Sequence, residues 1–202
     1  MAVKYPVTLE ELMRFCRRLP GVGRRGAERM AFALLQWRPD ELHEFGNLIA
    51  QMPESVTFCP VCGNIAEFND ECDICQDRTR DDSTLCVVEE FSQITAFENG
   101  KIFRGRYHVL GGTLSPLAGR SDEDLAIDSL LRRIDSGNFK EIIIALGGDV
   151  EGQATTVYLK RLLAGRDLKV TQLARGLPAT FDIAYADAAT LSVALSGRTT
   201  VE

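Results

Sequence analysis

Two C-x2-C pairs, Cys59-Pro60-Val61-Cys62 and Cys72-Asp73-Ile74-Cys75, lie nine residues apart and constrain this chain more than any other stretch. Each pair presents two thiolates from one tight turn. Four such soft donors make a closed tetrahedral set with no position left open for water. The spacing therefore predicts one structural Zn2+ site on Cys59, Cys62, Cys72 and Cys75. Two disulfides or two redox pairs are the competing readings; a reducing cytosol disfavours the first, and the lack of a thioredoxin-like strand before either pair disfavours the second. The two remaining cysteines, Cys16 and Cys86, sit among apolar neighbours and read as buried structural thiols.

With 202 residues the chain has room for a real core, in one large domain or in two to three small ones. The opening residues MAVKYPVTLEEL carry no apolar run with a cleavage site, and no stretch approaches the ~18 apolar residues that span a bilayer. The expectation is a cytoplasmic chain with no membrane partner. Its net charge of −6 argues against nucleic acid until its distribution is considered: residues 1 to 38 hold eight cations against three anions, a balance of +5 that leaves −11 for the rest. A basic N-terminal unit on an acidic body is a footprint for phosphate binding by one face.

That unit reads as helix, glycine-rich hairpin, helix. Thr8 and Glu11 form a capping-box signal for a helix to about Arg18, with Leu9, Leu12, Met13 and Cys16 on one side. Leu19-Pro20-Gly21-Val22-Gly23 cannot continue it, and a second helix follows from Arg24 to about Gln36 with Ala27, Met30, Ala31 and Leu34 as its stripe. A third helix starts at Pro39, carries Leu42, Phe45, Ile49 and Met52, is expected to stop at Pro53, and closes a small helical domain. His43 reads as a surface residue. In the hairpin, Gly21 and Gly23 let backbone N–H groups at the next helix start approach a phosphate oxygen, and Arg24, Arg25 and Arg29 add charge-assisted contacts. Such binding is sequence-tolerant and salt-sensitive. The segment Leu19 to Gly23 resembles the L-P-G-[IV]-G core of the helix-hairpin-helix family; a plain helical turn or a protein-contact hairpin is the alternative.

After the cysteines, the polar run Gln76 to Ser83 reads as a linker or exposed turn. Leu85-Cys86-Val87-Val88 then suits a strand buried on both faces, followed by alternating helix-like and strand-like segments at 92 to 99, Tyr107 to Leu110, 121 to 136, Glu141 to Leu146, 153 to 164 and Leu168 to Leu173. The cap signal for the segment at 121 is Ser121 with Asp124. This alternation implies a parallel α/β sheet. Acidic residues fall at the carboxyl ends of its strands, where such sheets place ligands: Glu89, and Asp149 with Glu151. The arrangement resembles the Toprim fold of topoisomerases, primases and some nucleases, with Asp149-x-Glu151 in place of D-x-D. The resemblance leaves open a Mg2+ ion on these acids and, as the alternative function, a Mg-dependent nuclease or topoisomerase-like enzyme; for the latter nothing flags Tyr107 or Tyr158 as an activated nucleophile. The run Ile142 to Leu146 before an acid resembles a Walker B strand, but no phosphate-cradling G-x-x-x-x-G-K-[ST] accompanies it.

Hairpin, four-cysteine knuckle and Toprim-like sheet, in that order, resemble the RecR family of bacterial recombination mediators nearly end to end. Further matches are Arg29-Met30-Ala31-Phe32, Tyr107 to Pro116, Glu151-Gly152 with Ala154-Thr155, and Leu173-Ala174-Arg175-Gly176-Leu177-Pro178. The chain departs from the family at Gly148-Asp149-Val150, where N-P-T is usual, and at Ala179-Thr180-Phe181-Asp182, where V-G-G-D is usual. The expected organisation is a multi-domain α plus α/β chain: a helix-hairpin-helix DNA-binding domain at 1–53, a four-cysteine zinc finger at 54–77, a Toprim-like domain at 78–175, and a C-terminal segment with a helix at 176–202. The resemblance implies a non-enzymatic DNA repair adaptor, often a homotetramer ring, that binds DNA without sequence preference at gaps or single/double-strand junctions. It also implies work with RecO, and sometimes RecF, to load RecA. On that reading the acidic face around Glu89, Asp149 and Glu151 receives a basic partner.

Overall fold

The computed structural model describes residues 4–174, 176–177, 180 and 182–198, so the expectations at Arg175, Pro178, Ala179 and Phe181 lie outside the described residues. The chain divides between Ser55 and Val56 into two compact units.

The first unit holds α1 (Val7–Cys16), α2 (Arg24–Leu34) and α3 (Pro39–Ser55). Leu9, Leu12, Met13 and Cys16 are the half-buried positions of α1, as the 3.6-residue period requires. The expected capping box is absent. Pro6 begins the helix earlier, its carbonyl accepting from Leu9 and Glu10 N–H, which leaves Thr8 and Glu11 inside the first turns. Ala27 and Ala31 are the buried residues of α2, while Met30 stays 42% exposed. Pro53 does not stop α3; it lies in its last turn. No residue of α3 is buried, so the stripe of Leu42, Phe45, Ile49 and Met52 does not close a core.

The second unit opens with the antiparallel pair β1 (Val56–Phe58) and β2 (Ile65–Glu67) and the short helix α4 (Asp73–Gln76), which carry the two cysteine turns. Then come β3 (Thr84–Val88), α5 (Phe91–Gly100), β4 (Arg106–Val109), α6 (Ile127–Ser136), β5 (Glu141–Ala145), α7 (Val150–Leu162) and β6 (Lys169–Gln172), and α8 (Ala188–Ser196) follows near the C-terminus. The sheet is wholly parallel in the order β4-β3-β5-β6. Strand β3 is buried on both faces: Leu85 and Val87 join Leu130, Ile142 and Leu159 on one side, Cys86 and Val88 join Ile94 and Tyr107 on the other. Because the chain moves from β3 to β4 on one flank and then to β5 on the other, the carboxyl end of β3 is the point at which the winding reverses, which in open α/β sheets is the crevice position for ligands.

Two sequence expectations shift. Ser121 does bond Asp124, through N–H to Oδ2 at 2.8 Å, but the helix waits until Ile127. The residue between, Ala126, is captured by the sheet: its N–H donates to the Leu110 carbonyl and its carbonyl meets the His108 ring. The run Gln76 to Ser83 is no free linker, because Arg80 is 8% exposed, pairs with Glu98 and donates to the Gly105 carbonyl at 3.0 Å. The alternating hydrophobic pattern cannot report an arginine buried by its partners.

Candidate functional site

Three clusters carry the polar chemistry. In the hairpin, Gly21 has φ +75° with open space around its Cα, a left-handed turn that favours glycine. Gly23 caps α2 in an extended conformation without a side-chain acceptor, and the first turn of α2 has no acidic residue. The positive end of the helix is therefore offered outward between Arg24 and Arg25, both exposed, with exposed Arg29 a turn later. Tyr5 bonds Glu28 and stacks edge-on against Phe32 at 5.6 Å, holding the segment before α1 on α2.

The four cysteines converge as the spacing predicts. All four sulfur atoms lie within 4.8 Å of one another, and among the described residues this is the one group of acids, histidines or cysteines so gathered. Cys59 Sγ and Cys75 Sγ are 3.8 Å apart, Cys62 Sγ and Cys72 Sγ 3.5 Å. Four sulfurs each ~2.3 Å from a tetrahedral ion stand about 3.8 Å apart, so the donor set fits zinc. Cys62 is held well above the ordinary thiol range by its hydrogen bonds to Cys72 and Cys75 and by burial. A divalent cation would relieve that crowding by taking all four as thiolates. Cys86, by contrast, is buried alone and pushed up to about 12 by that burial; Cys16 is half-buried.

The knuckle is docked on the sheet. Val109 N–H on the edge strand β4 donates to the Cys62 carbonyl at 2.8 Å. Arg106, 8% exposed at the other end of β4, sends Nη1 to the Ile74 carbonyl at 2.6 Å and the Cys75 carbonyl at 3.1 Å. Sequence reasoning missed Arg80 and Arg106. For Arg106 the one signal available was its place directly before the expected strand Tyr107 to Leu110, where burial implies a paired charge.

At the crevice, Glu89 is half-buried beyond β3 and its carboxyl is pushed up by burial first, then by Asp149 and other neighbouring acids, while Arg120 opposes. Asp149 and Glu151 are exposed yet engaged: Asp149 Oδ1 accepts from Gly152 N–H at 2.7 Å as the N-cap of α7, and Glu151 Oε1 accepts from Ser115 Oγ at 2.5 Å. Thr155 adds a staple, accepting from Leu114 N–H at 2.9 Å and donating to the Glu151 carbonyl at 2.7 Å. The loop 111–120 is thereby tied to the first turns of α7, and the three acids share one field without converging as an ion-binding set. Tyr107 is fully buried with its hydroxyl on Glu98 at 2.7 Å and its pKa driven upward by burial, while the Tyr158 hydroxyl donates to Asp122 at 2.5 Å, which also holds its proton on. Neither is placed as a nucleophile.

Residues 9–52 match the family model "RecR, helix-hairpin-helix" and residues 83–174 match "Toprim domain". The chain is 47% identical to recombination protein RecR of Bifidobacterium animalis subsp. lactis over 198 residues, covering 98% of both chains. It is 46% identical to that of Thermobifida fusca over 194 residues, covering 96% of this chain and 97% of the other. Against the Streptomyces coelicolor protein the identity is 43% over the same shares.

Proposed function

The chain belongs to the RecR family of recombination proteins, and from that premise we propose that it is a non-catalytic DNA-binding mediator of recombinational repair that helps RecO, with RecF in some settings, to load RecA at single-stranded gaps. A role in recombination repair follows from the family; the partners, the assembly and the absence of catalysis are the proposal. The observation that carries it is the outward-facing start of α2, a glycine-capped helix N-terminus free of acids and flanked by Arg24, Arg25 and Arg29. It holds phosphate by backbone N–H and charge, touches no base edge, and so tolerates any sequence. The acidic remainder repels DNA from other surfaces and favours that one path.

The four-cysteine centre is read as structural zinc, because four thiolates close the coordination shell and leave no place for a reacting water. The acids at the crevice are read as a surface for a basic partner. Asp149 and Glu151 are occupied in capping α7 and fixing its neighbouring loop, which is the work of a shaped surface. The apolar side chains left open on α3, such as Leu48 at 60% and Met52 at 57% exposure, support self-association, for which the family suggests a homotetramer ring. No described helix is long and apolar enough to cross a membrane; a cytoplasmic location is part of the proposal.

The test is incubation of the full chain with labelled gapped DNA and Mg2+ or Mn2+, read alongside light scattering. Expected are a retained complex, a multimer and intact strands. A cleavage product that disappears in Glu89→Ala would overturn the mediator reading in favour of a Toprim nuclease.

A further inference from the structure

Strand β4 is the edge of the parallel sheet, and an edge strand leaves a row of backbone groups without a strand neighbour. Both cysteine turns meet that edge. The first does so by backbone, through Val109 N–H and the Cys62 carbonyl. The second is reached by one side chain: Arg106 Nη1 bonds the carbonyls of Ile74 and Cys75, while its Nε donates to Asp82 Oδ1 at 2.6 Å. Asp82 is itself 74% exposed, so it orients the guanidinium without being buried with it. Cys75 is the least enclosed of the four cysteines, and it borders a 360 Å3 cleft to which Arg106 also contributes.

Two physical needs meet at this arginine. Zn2+ on four thiolates carries a net charge of −2, which a cation in the same low-dielectric surroundings stabilises. The more open of the two turns also needs an anchor that fixes the direction of its Cys75 sulfur. A guanidinium supplies both, since its planar fork spans two carbonyls while its charge is permanent. We propose that Arg106 is a positioning residue of the metal centre, holding the Cys72–Cys75 turn in ligating geometry from the edge of the sheet. The proposal rests on the reading of the four cysteines as a zinc site.

The experiment uses the full chain as isolated, with zinc as the probe: metal content, competition with a chromophoric chelator, and the ligand-field spectrum after Co2+ substitution. The wild type should hold one zinc. Hydrogen-bonding partners just outside a metal's ligand set are typically worth about 10- to 100-fold in affinity, and a loss of that size is expected for Arg106→Met, with a changed Co2+ spectrum. Arg106→Lys keeps the cation but not the fork and should fall between Arg106→Met and wild type. It also decides the matter if Arg106→Met does not fold, because wild-type zinc affinity in Arg106→Lys overturns the proposal. So does an Arg106→Met protein that melts earlier with metal affinity and Co2+ spectrum unchanged, the mark of a merely structural contact. A wild-type chain that binds no zinc overturns the zinc reading and this proposal with it, whereas a zinc-loaded wild type with unaffected variants overturns this proposal alone.

Discussion

The backbone N–H of Val109 donates to the carbonyl of Cys62 at 2.8 Å, so the first cysteine turn continues the hydrogen bonding of the sheet edge. This contact requires close approach. Gly63, the next residue, has φ +77°, and a Cβ there would stand 3.1 Å from Val109 Cβ and 3.3 Å from its carbonyl oxygen.

Gly63→Ala should therefore cost stability on two counts, the left-handed backbone and the contact with Val109. The left-handed conformation alone costs an L-residue roughly 1 to 2 kcal/mol. Denaturant unfolding of the zinc-loaded chain gives the number, and a midpoint equal to wild type would remove both arguments.

For the hairpin, Arg24→Ala with Arg25→Ala should weaken DNA binding alike on every sequence. On duplex the slope of log affinity against log salt is about −0.9 per phosphate neutralised, so losing two contacts should flatten it by about 1.8. Fluorescence anisotropy between about 50 and 200 mM salt reads both effects. An unchanged slope takes these arginines out of the interface.

At the crevice, the cap and the charge of Asp149 can be separated. Its Oδ1 accepts from Gly152 N–H, which an asparagine oxygen can also do. Asp149→Asn should melt near wild type yet bind RecO more weakly, while Asp149→Ala should lose both recognition and about 1 kcal/mol of stability. Equal RecO affinity in the two variants and the wild type would leave Asp149 a cap and nothing more.

How much of this was legible in the sequence depended on how local the cause was. The half-buried stripe of α1, the doubly buried Leu85 to Val88 and the gathering of four cysteines each follow from periodicity or ligand spacing, which short stretches determine. Long-range partners were not legible. Arg80 is buried because Glu98 and Gly105 reach it, Arg106 because Ile74 and Cys75 do, and α6 starts late because Leu110 and His108 hold Ala126. On α5 the cause is local again: Gln93 reaches back from the first turn and its Oε1 accepts from the Glu89 N–H at 2.8 Å, a bond made within five residues of sequence.

His108 lets the buried core be tested through pH. The ring is 2% exposed; its Nε2 meets the Ala126 carbonyl at 2.9 Å, which as a pure acceptor fixes the proton on Nε2, and Nδ1 has no partner among the described residues. Burial, with a smaller push from Arg133, lowers its pKa to about 4, against the opposing effect of the Ala126 hydrogen bond. The unfolded chain takes up this proton near pH 6.5, so between about 6.5 and 4 unfolding binds a proton that the folded state refuses. The contribution is complete above that window, fades as pH falls through it, and amounts to about 3 kcal/mol in all. His108→Gln keeps a neutral donor at this position and does not titrate. It should be less stable than wild type at neutral pH through imperfect packing, and the gap should narrow or reverse on going to about pH 4.5. Urea unfolding of both proteins across that range measures the difference directly, with any acid-driven loss of metal common to the two. Curves that stay parallel would mean that His108 takes up its proton in the fold at the same pH as in the unfolded chain.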